Sequence, residues 1–220
     1  MEATATSTRH DTRVLSLIGS GHFLSHFYQL SLPPLLLVWR DAFGASYAAL
    51  GIVITLFALS TGITQIPVGI LVDRIGARLI LVLGLILESC AIAAMGFASS
   101  LNELYLLAVI AGIGNSVFHP ADYAILNSSI NSGRMGKAFS LHTFAGHLGG
   151  ALAPATIIFL VALYDWRTAV MITGITGVVC ALIIYSQGGV LRDEHSASKK
   201  TKANTGSEKK ISTVQLMLSK

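Results

Sequence analysis

Six long apolar segments, separated by short polar stretches, occupy most of the chain. Each is long enough as a helix to cross a hydrocarbon core of about 30 Å. Because backbone groups in lipid must be hydrogen-bonded within their own segment, the pattern predicts transmembrane helices rather than open strands. The fold class predicted is an all-α membrane protein built as a six-helix bundle. The segments are residues 14–39, 47–71, 79–97, 104–128, 138–163 and 168–185.

The composition supports a membrane location and excludes an ordinary soluble domain. Hydrophobic residues make up 53% of the chain and charged residues 12%, whereas soluble domains carry about 25% charged residues. The formal net charge of +4 comes from turns and the carboxyl-terminal tail, so it indicates membrane topology and no nucleic-acid partner. Cys90 and Cys180 lie inside apolar runs, where a thiol acts as a small hydrophobe. The sequence predicts no cofactor, no metal site and no enzymatic activity.

The basic residues predict the orientation, because Lys and Arg are retained on the cytoplasmic side of a membrane. If the amino terminus is cytoplasmic, only Arg40 and Arg167 lie outside. Both termini are therefore predicted to be cytoplasmic, in a multi-pass protein of the plasma (inner) membrane. The basic residues on the cytoplasmic side would be Arg9, Arg13, Arg74, Arg78, Arg134, Lys137, Arg192, Lys199, Lys200, Lys202, Lys209, Lys210 and Lys220.

Changes in composition divide the chain into four parts. Residues 1–13 form a polar cytoplasmic segment, and residues 14–186 form the bundle. Residues 187–210 are rich in Gly, Lys, Ser and Glu and form a polar cytoplasmic linker. Residues 211–220 begin a new apolar stretch that is too short to span. We therefore expect a second half to follow in a longer protein.

The turn between the second and third segments carries a recognisable motif. Gly69, Asp73, Arg74, Gly76 and Arg78 match glycine, three residues, Asp-Arg, one residue, glycine, one residue, basic. Gly76 can adopt the positive φ that a tight reversal needs, and Gly69 allows another backbone to approach its helix closely.

This motif resembles the signature of the major facilitator superfamily. The resemblance implies a transporter of twelve helices in two halves, of which this chain supplies the amino-terminal half as two three-helix repeats. It also implies that the motif is a gating element. In that family the acidic residue, here Asp73, contacts a helix end across the boundary between the halves and does not hold substrate.

Polar side chains on the first helix form a candidate cavity wall. His22, His26 and Gln29 are spaced i, i+4 and i+7, so they share one face. An ionisable group at the bilayer centre costs roughly 2.5 to 3.5 kcal/mol, which is why such residues face the protein interior or a cavity. The alternatives are contact with substrate or protons, and hydrogen bonding between helices.

The fourth segment combines a helix breaker with two ionisable residues. Pro120 has no amide hydrogen to donate to the carbonyl of Ser116, so a kink is predicted there. His119 and Asp122 are three residues apart beside the kink. A carboxylate next to an imidazole can load and release a proton, and we expect this pair to do so; a buried structural pair is the alternative.

The same run narrows the resemblance to one branch of the superfamily. Gly112, Gly114 and the residues from Ser116 to Pro120 resemble the fosmidomycin-resistance permeases, a group similar to drug-efflux transporters. The resemblance implies secondary transport by alternating access, coupled to protons or another ion. Many drug antiporters have an arginine where this chain has Ala108, and His119 with Asp122 is the predicted substitute.

Two further ionisable residues are candidates for the substrate or proton pathway. Glu88 lies among apolar residues of the third segment, where a lone carboxyl is protonated, paired or functional. His142 and His147 are five residues apart and share no face, whereas His147 and Thr143 do. His147 is therefore predicted to reach the cavity.

Small residues at helical spacing predict close helix packing. One stripe is Ala58, Gly62, Gln65 and Gly69, and another is Gly146, Gly150 and Pro154.

Two other functions are compatible with the sequence. One is a haem-binding or metal-binding redox subunit, because five histidines lie at membrane depth. The other is a self-contained six-helix protein that associates with itself. The partners predicted by the leading interpretation are a small-molecule substrate, protons, the lipid bilayer and a second six-helix half.

Overall fold

The computed structural model describes residues 2–191, with side chains from residue 8 onward, as seven α-helices and two short 3₁₀ turns. The predicted linker beyond residue 191 and the predicted start of a second half lie outside the described residues. The helices are α1 (Glu2–Phe43), α2 (Tyr47–Ile75), α3 (Ala77–Met95), α4 (Leu101–Asn115), α5 (Phe118–Ser129), α6 (Met135–Leu163) and α7 (Trp166–Gln187); the turns are Ser132–Arg134 and Gly188–Val190.

All six predicted segments are helical. The fourth is divided, because α4 ends at Asn115 and α5 begins at Phe118, just before Pro120. Five helical segments of the described chain are long and apolar enough to cross a membrane, and α1 is the helix that is not among them. Polar residues such as His22 and Gln29 lower the hydropathy of α1. With 42 residues at about 1.5 Å each, α1 exceeds the membrane thickness and includes the stretch predicted as a separate amino-terminal segment.

Side-chain caps define where three of the helices begin. Ser46 and Ser100 accept hydrogen bonds from the backbone amides of Ala49 and Glu103, which satisfies amides that have no partner within the helix. Asp165 accepts from the amides of Arg167 and Thr168 and from the Thr168 hydroxyl. These bonds, the Thr168 hydroxyl first, lower the pKa of Asp165.

The helices pack at glycines. A Cβ at Gly149 of α6 would overlap the carbonyl oxygen of Phe23 in α1, and a Cβ at Gly114 of α4 would lie 2.5 Å from the backbone nitrogen of Glu88 in α3. Gly174 joins α7 to α3 in the same way, with a Cβ 2.5 Å from the carbonyl oxygen of Ser89. Only a residue without a side chain allows backbones to approach this closely. The packed pairs are therefore α1 with α6, and α3 with both α4 and α7.

The two small-residue stripes differ in their surroundings. Gly146 and Gly150 on α6 pack against His22, His26 and Leu30 of α1, as predicted. On α2, by contrast, Ala58 and Gly62 are exposed, and a Cβ at Gly62 would meet no atom within 4 Å among residues 2–191. The predicted packing of this stripe is therefore absent within the described chain. Periodicity shows which residues share a face, but it does not show what covers that face.

Arginine side chains make polar contacts at both ends of the bundle. Arg13 of α1 donates to the side chain of Gln187 in α7, at 3.1 Å, and Arg134 pairs with Asp11 at 2.9 Å. At the opposite end, Arg167 donates to the carbonyl oxygens of Gly96 and Ala98, and the rings of Trp39 and Trp166 meet edge to face. Arg13 of α1 and the end of α7 therefore lie at the same end of the bundle.

Candidate functional site

Five histidines from three helices gather around one aspartate. His22 and His26 come from α1, His119 and Asp122 from α5, and His142 and His147 from α6. Ring contacts connect the histidines, with centroid separations of 3.8 Å for His22 and His142 and 4.7 Å for His22 and His26. The set Asp122, His22, His26, His119, His142 and His147 is called the histidine cluster below.

Asp122 forms the buried centre of the histidine cluster. Its Oδ2 lies 2.9 Å from Nε2 of His142 and 3.5 Å from Nδ1 of His22, and all three side chains are buried. Among the described residues, the other carboxyl oxygen, Oδ1, has no hydrogen-bond partner, and neither has Nδ1 of His22. The carboxyl group thus connects α1, α5 and α6 while keeping one oxygen available.

The predicted pairing of His119 with Asp122 is not present. The His119 ring lies beside Tyr123 and His22, at centroid distances of 5.7 and 5.5 Å, and its Nδ1 has no hydrogen bond within the part of the chain that the structure describes. Residues three apart on a helix differ by about 60° in direction, so His119 and Asp122 point to different neighbours. The partner of Asp122 is His142, on another helix, which spacing within the fourth segment could not indicate.

The cluster extends from the buried carboxyl to an exposed face. His26 is half-buried, and its ring lies 6.3 Å from that of His147, which is exposed, as is Gln29. The sequence favoured His147 over His142 as the residue that reaches the cavity. In the structure His147 lies at the exposed end of the cluster, whereas His142 lies at its buried centre. A Cβ at Gly146 would lie 2.7 Å from Nε2 of His22, so this glycine makes room for the imidazoles.

Glu88 belongs to a separate buried polar group. Its side chain is 0% exposed, and its Oε1 accepts a hydrogen bond of 2.9 Å from Nδ2 of Asn115. The same Asn115 nitrogen lies 3.3 Å from the carbonyl oxygen of Ser25 in α1. Because Asn115 is the last residue of α4, this group joins α1 and α3 to the break in front of α5. Oε2 of Glu88 has no hydrogen-bond partner among residues 2–191.

The turn motif has the predicted backbone but few contacts. Gly76 adopts φ +112°, and Arg78 donates to the carbonyl oxygen of Tyr185 at the end of α7. Asp73 is exposed and forms no ion pair or side-chain hydrogen bond with any described residue. At Gly69 the nearest atom to a Cβ would be the Pro120 side chain at 4.0 Å, so the predicted close backbone approach is absent from this part of the chain.

One group in the site has the composition of a metal site. The ligand atoms of His22, Asp122 and His142 all lie within 4.8 Å of one another. Haem does not fit between the same two histidines, because their rings are already stacked at 3.8 Å and leave no space for a porphyrin.

The sequence is similar to several curated transporters. It is 26% identical over 174 residues to the probable L-galactonate transporter of Escherichia coli K12, covering 79% of this chain and 38% of that protein. It is 27% identical over 165 residues to the fosmidomycin resistance protein of the same organism, covering 74% and 40%. A third relative, the probable sulfoacetate transporter SauU of Cupriavidus necator, is 27% identical over 168 residues, covering 76% and 38%. The chain spans about two fifths of the length of these relatives.

A solved structure has the same fold. The crystal structure of a bacterial homologue of the human lysosomal transporter Spinster, in an inward-facing and unoccupied conformation, matches with a TM-score of 0.74 and 20% sequence identity, over 84% of this chain and 43% of that one. The family model described as Major Facilitator Superfamily matches residues 18–220. With its apolar helices, its multi-pass architecture and this match over most of its length, the chain belongs to the major facilitator superfamily.

Proposed function

We propose that this chain is the amino-terminal half of a secondary transporter that moves a small molecule across the plasma membrane by alternating access. The observation that carries the proposal is the histidine cluster, a polar wall that opens on one face of a bundle of this family's fold. In this arrangement α1 also crosses the membrane and brings the number of spans to six. Both ends of the bundle are cytoplasmic, and a second six-helix bundle completes the cavity.

The cavity wall suits a small organic anion. His26, His119 and His147 are partly or fully accessible, and imidazole groups can donate hydrogen bonds to carboxylate or phosphonate oxygens. Gln29 adds an amide donor on the same face. L-galactonate and sulfoacetate, which appear in the names of two relatives, are organic anions. Efflux of an anionic drug, which the resemblance to the fosmidomycin-resistance branch suggests, requires the same chemistry.

The coupling proton is carried by Glu88 in this proposal. An ionised carboxylate that is buried without a cation beside it is costly, so Glu88 would take up a proton in the closed arrangement. Its bond to Asn115 puts that proton next to the break between α4 and α5. Proton release would require water at Oε2, which is buried in this arrangement, so the helices around Glu88 would have to move. This assignment replaces the predicted His119 and Asp122 pair, which is not formed.

The test is transport by reconstituted protein across an imposed pH gradient, with radiolabelled L-galactonate and sulfoacetate as probes. The chain is assayed together with its carboxyl-terminal bundle. Glu88→Gln keeps the hydrogen bond from Asn115 but cannot exchange a proton. We expect gradient-driven transport to fall at least about tenfold, while exchange of labelled for unlabelled substrate continues.

The matched control is Glu103→Gln, an exposed carboxyl at the start of α4, which should transport as the unmodified protein does. Gradient-driven transport that survives in Glu88→Gln would contradict the coupling role. Absence of any exchange of either probe in the unmodified protein would contradict the substrate class.

Self-association is the other way to build a two-bundle assembly. Cross-linking in membranes distinguishes the two cases, because a transport-active dimer of this chain alone would exclude the need for a separate second bundle.

A further inference from the structure

We propose that His22, Asp122 and His142 form a binding site for a divalent late first-row transition-metal ion, represented by Zn²⁺. The inference goes beyond the transport proposed above and concerns equilibrium binding by this chain itself. It starts from Nδ1 of His22, a buried nitrogen that has no hydrogen-bond partner among residues 2–191 and lies 3.5 Å from Oδ2 of Asp122. Such an atom is costly to bury, so a bound species that satisfies it stabilises the site.

The separations of the ligand atoms approach those of a tetrahedral site. With metal–ligand bonds of about 2.0 to 2.1 Å, ligand atoms lie about 3.4 Å apart. Oδ2 of Asp122 is 3.5 Å from Nδ1 of His22 and 2.9 Å from Nε2 of His142, and the whole set lies within 4.8 Å. Reducing a separation of at most 4.8 Å to about 3.4 Å needs a shift of at most about 1.4 Å, which side-chain rotation provides, and would complete three-coordinate binding with one position left open.

Metal binding requires one imidazole to leave the stack. The rings of His22 and His142 are stacked at 3.8 Å and inclined by only 22° to each other, so their lone pairs lie in nearly parallel planes that do not meet at one ion. His142 is held by its bond to Asp122, whereas Nδ1 of His22 has no hydrogen bond to lose. His22 is therefore the ring that tilts when the ion binds.

The donor set selects the class of ion. Two imidazole nitrogens and one carboxylate oxygen suit Zn²⁺, Ni²⁺, Co²⁺ and Cu²⁺, while Mg²⁺ and Ca²⁺ prefer oxygen ligands alone. No thiol takes part, because Cys90 and Cys180 lie outside this group.

The histidine cluster also supplies a route to the site. His26 contacts His22, and His147 lies beyond His26 on the exposed side, so an ion can pass from one imidazole to the next. The ring of His119 lies 5.5 Å from that of His22, and its Nδ1, which has no hydrogen-bond partner among residues 2–191, can serve as a fourth ligand.

The experiment measures metal binding by the whole 220-residue chain, purified in detergent without a polyhistidine tag and stripped with a chelator. We expect calorimetry to show one strong equivalent of Zn²⁺ and no uptake of Mg²⁺. Co²⁺ should give the visible absorption bands of tetrahedral coordination. His142→Gln and Asp122→Asn should each weaken Zn²⁺ binding at least about tenfold and remove those bands. The control is His10→Gln, near the start of α1 and away from the cluster, which should bind as the unmodified chain does.

A second readout does not depend on whether a variant folds. In the unmodified chain, bound Zn²⁺ should raise the melting temperature measured in a fixed detergent, whereas Mg²⁺ at the same concentration should leave it unchanged. Zn²⁺ uptake that is absent, or unchanged in both variants, would overturn the proposal, and so would an equal melting temperature with and without Zn²⁺. Since no transport is measured, these results are independent of the Glu88 experiment.

Discussion

Small residues lie at close helix contacts in the centre of the bundle, whereas on the outer face of α2, which carries Ala58 and Gly62, they are exposed. In the most apolar stretch of each helix, 56% of the residues are buried in α3 and 50% in the α4–α5 segment, but only 22% in α2. At the centre, Gly114 and Gly149 each bring two backbones together. On α2, Ala58 and Gly62 are exposed beside large apolar residues such as Ile63 and Ile66.

The difference lies in what each helix finds as a neighbour within this chain. α3 lies between α4 and α7 and packs closely against both of them. The outer face of α2 has no neighbour among the described residues and depends on lipid or another bundle. A glycine is therefore essential only where a second backbone is already present, and substitutions at the two kinds of position separate the two cases.

Gly149→Ala should have the largest effect. The added Cβ would overlap the carbonyl oxygen of Phe23, and backbone cannot move aside as a side chain can, so α1 and α6 must separate. Overpacking typically costs 1 to 3 kcal/mol, and we expect about 3 kcal/mol here. Thermal unfolding in a fixed detergent measures it.

Gly150→Ala is the matched control for this substitution. Its Cβ would lie 2.8 Å from Cδ1 of Leu30, the flexible end of a side chain, so the loss should be clearly smaller. Equal melting temperatures for the two variants would show that the crossing of α1 and α6 is looser than described.

Gly62→Ala should have a smaller effect of the opposite sign. The position is inside α2, and no atom of the described residues outside this helix lies within 4 Å of the added Cβ. Replacing a helical glycine by alanine stabilises by about 0.5 to 1 kcal/mol. The same unfolding assay on the isolated chain should show a slightly raised melting temperature. If a second bundle packs on α2, the gain disappears in the assembled transporter. A loss of stability in the isolated chain would mean that α2 already has a close neighbour there.

Sequence patterns predicted the helices better than the site. Apolar length placed all six helical segments, Pro120 marked the division of the fourth, and Gly76 marked the turn. These features depend on local backbone chemistry, which nearby residues determine. The partner of Asp122 depends on how α5 meets α6, and spacing within one helix contains no information on that contact. His142 could have been found only by asking which helices pack together.

Asp73→Asn should have the smallest effect on the chain and the most selective effect on the transporter. Asp73 is exposed and has no ion pair or hydrogen bond among residues 2–191, so its charge stabilises nothing that unfolding of the isolated chain would report. We expect a change within about 0.5 kcal/mol. If Asp73 contacts a helix end of a second bundle, removing its charge weakens that contact in one conformation only. The assembled variant should then transport more slowly while binding substrate with unchanged affinity. A large loss of substrate affinity would instead show that Asp73 contacts the substrate.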